Sequence, residues 1–420
     1  MHQLRRSLTT RGAAFAGCGL VLVAAGILLG QYDVTRVGVL LLALTAIALV
    51  LVRRHGLDLD VVRTAAPSRV AIDERAVVTV RIRNVEASPS PVVMAEESID
   101  YALGDRPRFV LPSLRPGDVQ EVQYTVRSHT RGVHRIGPLG VRVRDPFGLT
   151  LRTAAVSGDA EIIVLPRVVP LPHGRSLGSG IGSEGSVPHM VALHGEDDQT
   201  VREYRDGDDL RRIHWPATAR TGELMVRQED RPAKRRAVIV LDTRAAGHAG
   251  SGRSSSLEWC VTTAASVTAH VVDSGYAVHL LTADPRSDTG VHHDESLAEG
   301  LETLARVGLG PEDGLRAVLH AANALTSQGG LVVYVGGPVG DDDARTLSAL
   351  RQPGSAGAAM VVDPEAFAGR SRKGASPANR AETTLAILQA SGWTTTPVDA
   401  RSTPALAWAA VVGGQVVGAR

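Results

Sequence analysis

Lysine is almost missing from this chain. Of its 45 basic side chains only Lys234 and Lys373 are lysines, and the others are arginine. Arginine suits bidentate contacts with carboxylates and phosphates, but a GC-rich genome produces the same excess, so the bias alone names no ligand. Cysteine is equally scarce. Cys18 and Cys260 are the only two, which excludes a disulfide framework and a cysteine-built zinc cluster. Aromatic residues make up 3% of the chain, too few for a stacking platform that would hold single-stranded nucleic acid. Charge of either sign is not in excess, the formal net charge being +1. That balance argues against bulk binding of a polyanion, and no nucleic-acid partner is expected.

What the sequence does have is two long uncharged runs at its start. Residues 12–30, GAAFAGCGLVLVAAGILLG, are long enough to cross a bilayer as a helix, and residues 37–52, VGVLLLALTAIALVLV, sit at the short end of that range. The six residues between them, QYDVTR, force antiparallel neighbours. Arg5, Arg6 and Arg11 precede the first run and Arg53 and Arg54 follow the second. The positive-inside bias then places both ends in the cytoplasm. A cleaved signal peptide is the rival reading of RRSLTT, disfavoured by the second apolar run directly behind the first. Residues 1–56 are therefore expected to form a two-helix anchor in contact with membrane lipid. The protein would be a multi-pass one of the plasma membrane, with its soluble parts cytoplasmic.

A chain of 420 residues is too long for one ordinary core. Over residues 57–170 the apolar pattern has period two. Val78, Val80 and Ile82 alternate with Thr79, Arg81 and Arg83, and Val122, Tyr124 and Val126 repeat the pattern. Short alternating strands bounded by turn residues, among them RPGD and DPFG, predict a β-sandwich. Residues 171–200 are rich in Gly, Ser and His without a hydrophobic period, and read as a flexible connector. Their GSGIGSEG lacks the preceding strand and the Lys-Ser/Thr pair of a phosphate-binding loop. Residues 201–235 hold a dense polar segment, treated below. From 236 to 420 strand and helix alternate. Apolar runs at 236–242, 277–282, 331–335, 358–362 and 394–398 are separated by helical stretches at 255–273, 295–307, 312–325, 341–351 and 381–391. Leu257, Cys260, Val261, Ala264, Val267 and Val271 share one helix face, which makes Cys260 a packed residue rather than a nucleophile. The alternation predicts an α/β domain with a mostly parallel sheet covered on both faces, and places any site at the carboxyl ends of its strands.

The dense segment is YRDGDDLRRIHWPATART, residues 204–221. With the following LMVRQED and AVIVLDT, the upstream RGVHRIGPLGVRVRDPFGL and the tandem apolar runs, it resembles the bacterial domain-of-unknown-function 58 family. The family's pattern singles out Tyr204, Arg205, Gly207, Asp208, Arg211, His214, Trp215, Ala219 and Arg220. The resemblance implies a C-terminal domain similar to the von Willebrand A fold and an association with a MoxR-type AAA+ ATPase. Domains of that kind can hold Mg²⁺ through Asp-x-Ser-x-Ser after the first strand. Here Asp242 is followed by Thr243, Arg244, Ala245 and Ala246, so both serines are lost, and no metal or cofactor is expected.

Three readings of the dense segment compete. Catalysis would use His214 as a base oriented by Asp208 or Asp209, but no nucleophile accompanies them. Nucleic-acid binding would use its arginines, whose field the interleaved carboxylates cancel. The third is a structural joint, also displayed to a partner. Asp208 would cap a helix starting at Asp209, Pro216 would end it, the Trp215 ring would be buried, and Arg211 and Arg220 would bind Asp208 or Glu223. A partner-docking edge is expected at Asp242, Thr243, Arg244 and Asp284, presented at the strand ends, with Arg244 free to take a partner's carboxylate. The function that follows is a membrane-anchored, non-enzymatic adaptor in complex assembly or envelope processes. The alternatives are a hydrolase or transferase of envelope precursors using residues 204–227, and a structural component of envelope machinery.

Overall fold

The structure is a computed structural model that describes residues 8–54, 57–173, 200–204, 213–228, 235–282, 289–291, 294–327, 329–368 and 377–413. Its first elements are the helices α1 (Thr10–Leu28) and α2 (Tyr32–Arg54), both long and apolar enough to cross a membrane. The turn between them is shorter than the expected loop, because α2 already winds from Tyr32. Asp33 lies in its first turn, where the helix dipole favours a carboxylate, and pairs with Arg36 at 3.0 Å. The two helices pack through glycine. A Cβ on Gly19 would come within 2.9 Å of the Gly38 carbonyl oxygen, so the bare backbones set the helix spacing.

Nine strands follow: β1 (Leu59–Ala66), β2 (Arg69–Ala71), β3 (Arg75–Asn84), β4 (Val93–Ile99), β5 (Arg108–Leu111), β6 (Val119–Arg127), β7 (Gly132–Arg144), β8 (Leu151–Val156) and β9 (Ala160–Leu165). They form a three-stranded sheet in the order β1-β3-β6 and a second in the order β2-β9-β7-β4-β5, with β8 also on β7. All these pairings are antiparallel except β2 with β9. The two sheets share one core. Val78, Val80 and Ile82 of β3 enter it from one side and Ile136, Leu139 and Val141 of β7 from the other, all fully buried. Each such side chain stabilises the fold by roughly 1.5–3 kcal/mol, and Arg81 and Arg83 of β3 stay outside.

Beyond this core, β10 (Thr200–Glu203), α3 (Trp215–Thr221) and β11 (Met225–Gln228) make a small unit of their own. The last region contains β12 (Arg236–Leu241), α4 (Ser256–Asp273), β13 (Ala277–Leu281), β14 (Thr289–Val291), α5 (Asp294–Arg306), α6 (Gly314–Thr326), β15 (Leu331–Gly336), α7 (Asp341–Ala349), β16 (Ala356–Val362), α8 (Pro364–Phe367), α9 (Pro377–Ala390), β17 (Thr394–Val398) and α10 (Pro404–Val412). Its sheet runs β14-β13-β12-β15-β16-β17, parallel throughout except for the edge strand β14. Ala237, Ile239 and Leu241 of β12 pack under α4 and α10, while Val238 and Val240 pack under α6, α7 and α9. Burial on both faces explains why this strand reads as a continuous apolar run. Three elements of this last region were not expected from sequence. These are the three-residue β14, the one-turn α8, and α10, whose apolar residues run all round it.

The β-rich region is fastened to the α/β region by buried arginine. Arg131, at the entrance to β7, pairs with Glu258 of α4 at 2.7 Å and donates to the Leu304 and Val307 carbonyls at 3.2 and 2.7 Å. Arg69 adds an ion pair to Glu302 of α5 at 2.7 Å. The connector also starts differently from the expectation. Leu171 is buried in the α/β core, and the Val169 N–H donates to Ser266 Oγ of α4 at 2.9 Å. Residues 174–199 of the connector lie outside the described residues.

Candidate functional site

Three of the four residues of the expected docking edge come together where β12 gives out. The chain leaves β12 at Asp242, whose N–H still bonds the Val335 carbonyl of β15 at 3.0 Å. Gly336 permits this approach, since a Cβ there would lie 2.3 Å from Asp242 Cβ. Asp242 is 1% exposed and Arg244 8%, so this edge is buried rather than presented. The Arg244 guanidinium folds back onto Asp242, its Nε 3.0 Å from Oδ1 and its Nη2 2.8 Å from Oδ2. Nη2 also donates to the Pro338 carbonyl at 3.2 Å, and the Arg244 N–H to Asp242 Oδ1 at 3.0 Å. The expectation of a guanidinium free for a partner's carboxylate is therefore revised, because the chain supplies the carboxylate itself two residues earlier.

The surrounding groups complete an internal polar network. The Tyr334 hydroxyl lies 3.1 Å from Asp242 Oδ2 and 2.7 Å from the Gly337 carbonyl. His248 Nε2 faces the Asp242 carbonyl at 2.8 Å, and Nδ1 the Ser256 hydroxyl at 3.1 Å. A carbonyl only accepts, so Nε2 carries the ring proton and Nδ1 is left as acceptor. Burial disfavours the Arg244 charge, but the hydrogen bonds and charge of Asp242 outweigh it and hold the guanidinium above its ordinary range. Burial, and then the Asp242 charge, push the Tyr334 phenol up, so it stays a donor. Burial pushes the His248 ring down, toward its neutral form. The network holds a charge pair in place and offers no exposed nucleophile. Burial also raises the Cys260 thiol, which keeps it protonated among its apolar neighbours. No cluster of His, Cys, Asp and Glu able to hold a metal ion occurs among the described residues. Asp284 lies outside the described residues.

A cavity of about 400 Å³ is lined by residues of both the α/β and the β-rich region. Ser255 after β12, Phe367 after β16 and Pro404 after β17 line one side, and Ile72, His129 and Arg167 of the β-rich region the other. Clefts at domain junctions beyond strand carboxyl ends are where α/β proteins commonly bind ligands.

The polar segment has a different geometry from the one expected. Tyr204 extends the β10–β11 hairpin, its N–H bonded to the Leu224 carbonyl at 2.8 Å. Ile213 is buried against Val226 through an isolated bridge. Arg205, Gly207, Asp208 and Arg211, with the helix start expected at Asp209, lie outside the described residues. Pro216 does not end a helix but begins one. It stands in the first turn of α3, where its missing N–H costs nothing and its fixed φ suits the helix. The cap is His214, whose Nδ1 accepts from the Ala217 N–H at 3.1 Å. Gly222 closes the helix in the left-handed region at φ 78°. Ala219 and Arg220 are exposed on α3, and Arg220 makes no ion pair among the described residues. The Trp215 ring, expected to be buried, is 66% exposed, with Leu224 exposed nearby in the chain. The sequence signal for a helix start at Pro216 was present, because Pro is favoured in the first turn of a helix.

No curated protein matches the chain. Among solved structures it is similar to a CARDB domain from Pyrococcus furiosus at 19% identity, covering 26% of this chain and 86% of that one with a TM-score of 0.19. The ApaA protein of Bordetella pertussis is similar at 16% identity, over 26% of this chain and 94% of that one, with a TM-score of 0.20. The alkylpurine DNA glycosylase AlkC of Pseudomonas fluorescens is similar at 17% identity, over 31% and 38%, with a TM-score of 0.18. Likenesses this low carry no argument about fold or activity. Residues 200–367, which hold the α3 unit, the Asp242–Arg244 pair and most of the parallel sheet, match the family described as "Protein of unknown function DUF58", and over that stretch the chain resembles that family.

Proposed function

We propose that this chain is a membrane-anchored, non-enzymatic adaptor that presents its α3 unit to a MoxR-type AAA+ ATPase. The observation that carries the reading is the exposure of Trp215 on a separate capped unit, inside the stretch that resembles the family. A large aromatic ring left in water on a capped helix is a poor device for stability and a good one for binding. The strand order of the parallel sheet, with its antiparallel edge strand, supports a von Willebrand A-like domain over residues 236–420. The region 57–170 is then a β-sandwich domain, and residues 1–56 the anchor. In this reading Arg244 stands where such domains place a cation, and Asp242 is neutralised without a metal. The arginines flanking the apolar runs favour a plasma-membrane protein with both soluble regions on the cytoplasmic side.

The test is affinity capture with the full-length protein extracted from membranes. Trp215→Ala leaves the thermal midpoint of the protein nearly unchanged, since exposed substitutions stay within about 0.5 kcal/mol. It lowers recovery of the ATPase at least about tenfold, the loss expected for an interface tryptophan. Equal recovery by a folded Trp215→Ala protein would rule out the α3 unit as the docking surface.

A further inference from the structure

Between β7 and β8 the chain makes a tight turn, Asp145–Thr150, built around one carboxylate. Asp145 Oδ1 accepts from the Phe147 N–H at 2.8 Å, and Oδ2 accepts from both the N–H and the hydroxyl of Thr150. This turn is wedged against the base of the helical hairpin. The Thr9 N–H donates to the Leu149 carbonyl at 2.9 Å, and the Thr9 hydroxyl to the Gly148 carbonyl at 2.7 Å. Leu8 forms a bridge with Thr150, whose hydroxyl also reaches the Ala48 carbonyl at 3.5 Å. Gly12 makes room for the contact, because a Cβ there would fall 2.0 Å from the Leu149 carbonyl oxygen. Leu149 and Thr150 are buried in this junction, together with Thr45, Ala48 and Val52 on one face of α2.

The depth of the turn follows from the helix it touches. Val52 closes the apolar span of α2, and Ala48 lies four residues inside it, which is about 6 Å along the axis. A turn in contact with Ala48 cannot stand clear of a bilayer that α2 crosses. Phe147 is the residue at its tip. It is 56% exposed, while its neighbour Leu149 points inward. Arg144, three residues before it, and Arg11 in the first turn of α1 are exposed, and both are long enough to carry their charge back to the headgroup level.

We infer that Phe147 enters the boundary between lipid headgroups and acyl chains, so that the Asp145–Thr150 turn is a second membrane contact that fixes how the β-rich region stands on the bilayer. The inference rests on the reading of α1 and α2 as a membrane anchor. Both can be tested with single added tryptophans in the full-length protein, reconstituted in nanodiscs whose lipids are brominated high on the acyl chains. Bromine quenches indole only at close range, and the wild type with its four native tryptophans sets the background. Val21→Trp, in the middle of α1, reports the anchor, and Phe147→Trp reports the turn. The expected result is that bromination removes about half or more of the added emission in both variants, and that Phe147→Trp emits at the blue-shifted wavelength of an interfacial indole. Quenching of Val21→Trp with none above background for Phe147→Trp would overturn the inference and leave the anchor standing. Quenching of neither would overturn the anchor reading itself.

Discussion

Asp242 and Arg244 show how two residues decide what a strand end can do. A carboxylate at 1% exposure is tolerated only because a guanidinium and a phenol satisfy both its oxygens. Removing one partner of such a pair strands the other, so Asp242→Ala should cost about 3–5 kcal/mol, read as a fall in the denaturation midpoint. His248 makes the same network sensitive to pH. Its folded pKa lies below the ordinary 6.5, so under acid conditions the unfolded chain takes up a proton that the folded chain refuses. The stability held by the neutral ring is complete above about pH 6.5 and is lost as pH falls towards the folded value, by at most about 1.4 kcal/mol per pH unit. His248→Gln should flatten that part of the pH–stability curve relative to wild type, and parallel curves would remove His248 from the account. Asp242 and Arg244 were visible in the sequence as a polar pair after a strand. Their mutual bond was not, because spacing does not say whether a side chain folds back or reaches outward.

Among the elements, α3 is where local rules competed. Pro216 is read as a breaker when a helix is assumed to precede it, and as a starter when one follows; the structure shows the second. The cap contributed by His214 is measurable. His214→Ala should destabilise the unit by about 1 kcal/mol, seen as faster hydrogen exchange at the Ala217 and Thr218 amides, while the parallel sheet keeps its protection. The central strands of that sheet were legible almost to the residue, since a strand buried on both faces must be apolar throughout. Helix α4 was legible through its buried stripe from Leu257 to Val271. By contrast β14, with only three residues, is too short to carry a period. Helix α10 has apolar residues at nearly every position, so no face distinguished it. In α2 the polar start at Tyr32–Arg36 hid the first turn of a helix whose apolar run begins only at Val37.

Across the whole molecule, the chain joins an apolar helical hairpin, a β-rich region and an α/β region through a few polar contacts. None of these contacts could be read from sequence, because each links residues 97 or more positions apart. Arg131 bridges 127 residues to Glu258. Burial raises the Glu258 carboxyl, and the charge of Arg131 works against that rise. Arg131→Leu removes this charged hydrogen bond and two to backbone carbonyls, which should cost about 2–3 kcal/mol and separate the unfolding of the two regions into distinct calorimetric transitions. A single unshifted transition would mean that the contact couples nothing. The same architecture leaves the Trp215 ring outside on the α3 unit, and the proposed function depends on what meets it. The most direct measurement places a photoreactive amino acid at position 215 in living cells and identifies what it captures. The account predicts a cross-link to a MoxR-type ATPase that disappears when the same group is placed at the exposed Tyr101. Cross-links confined to the chain itself, or equal capture from both positions, would contradict it.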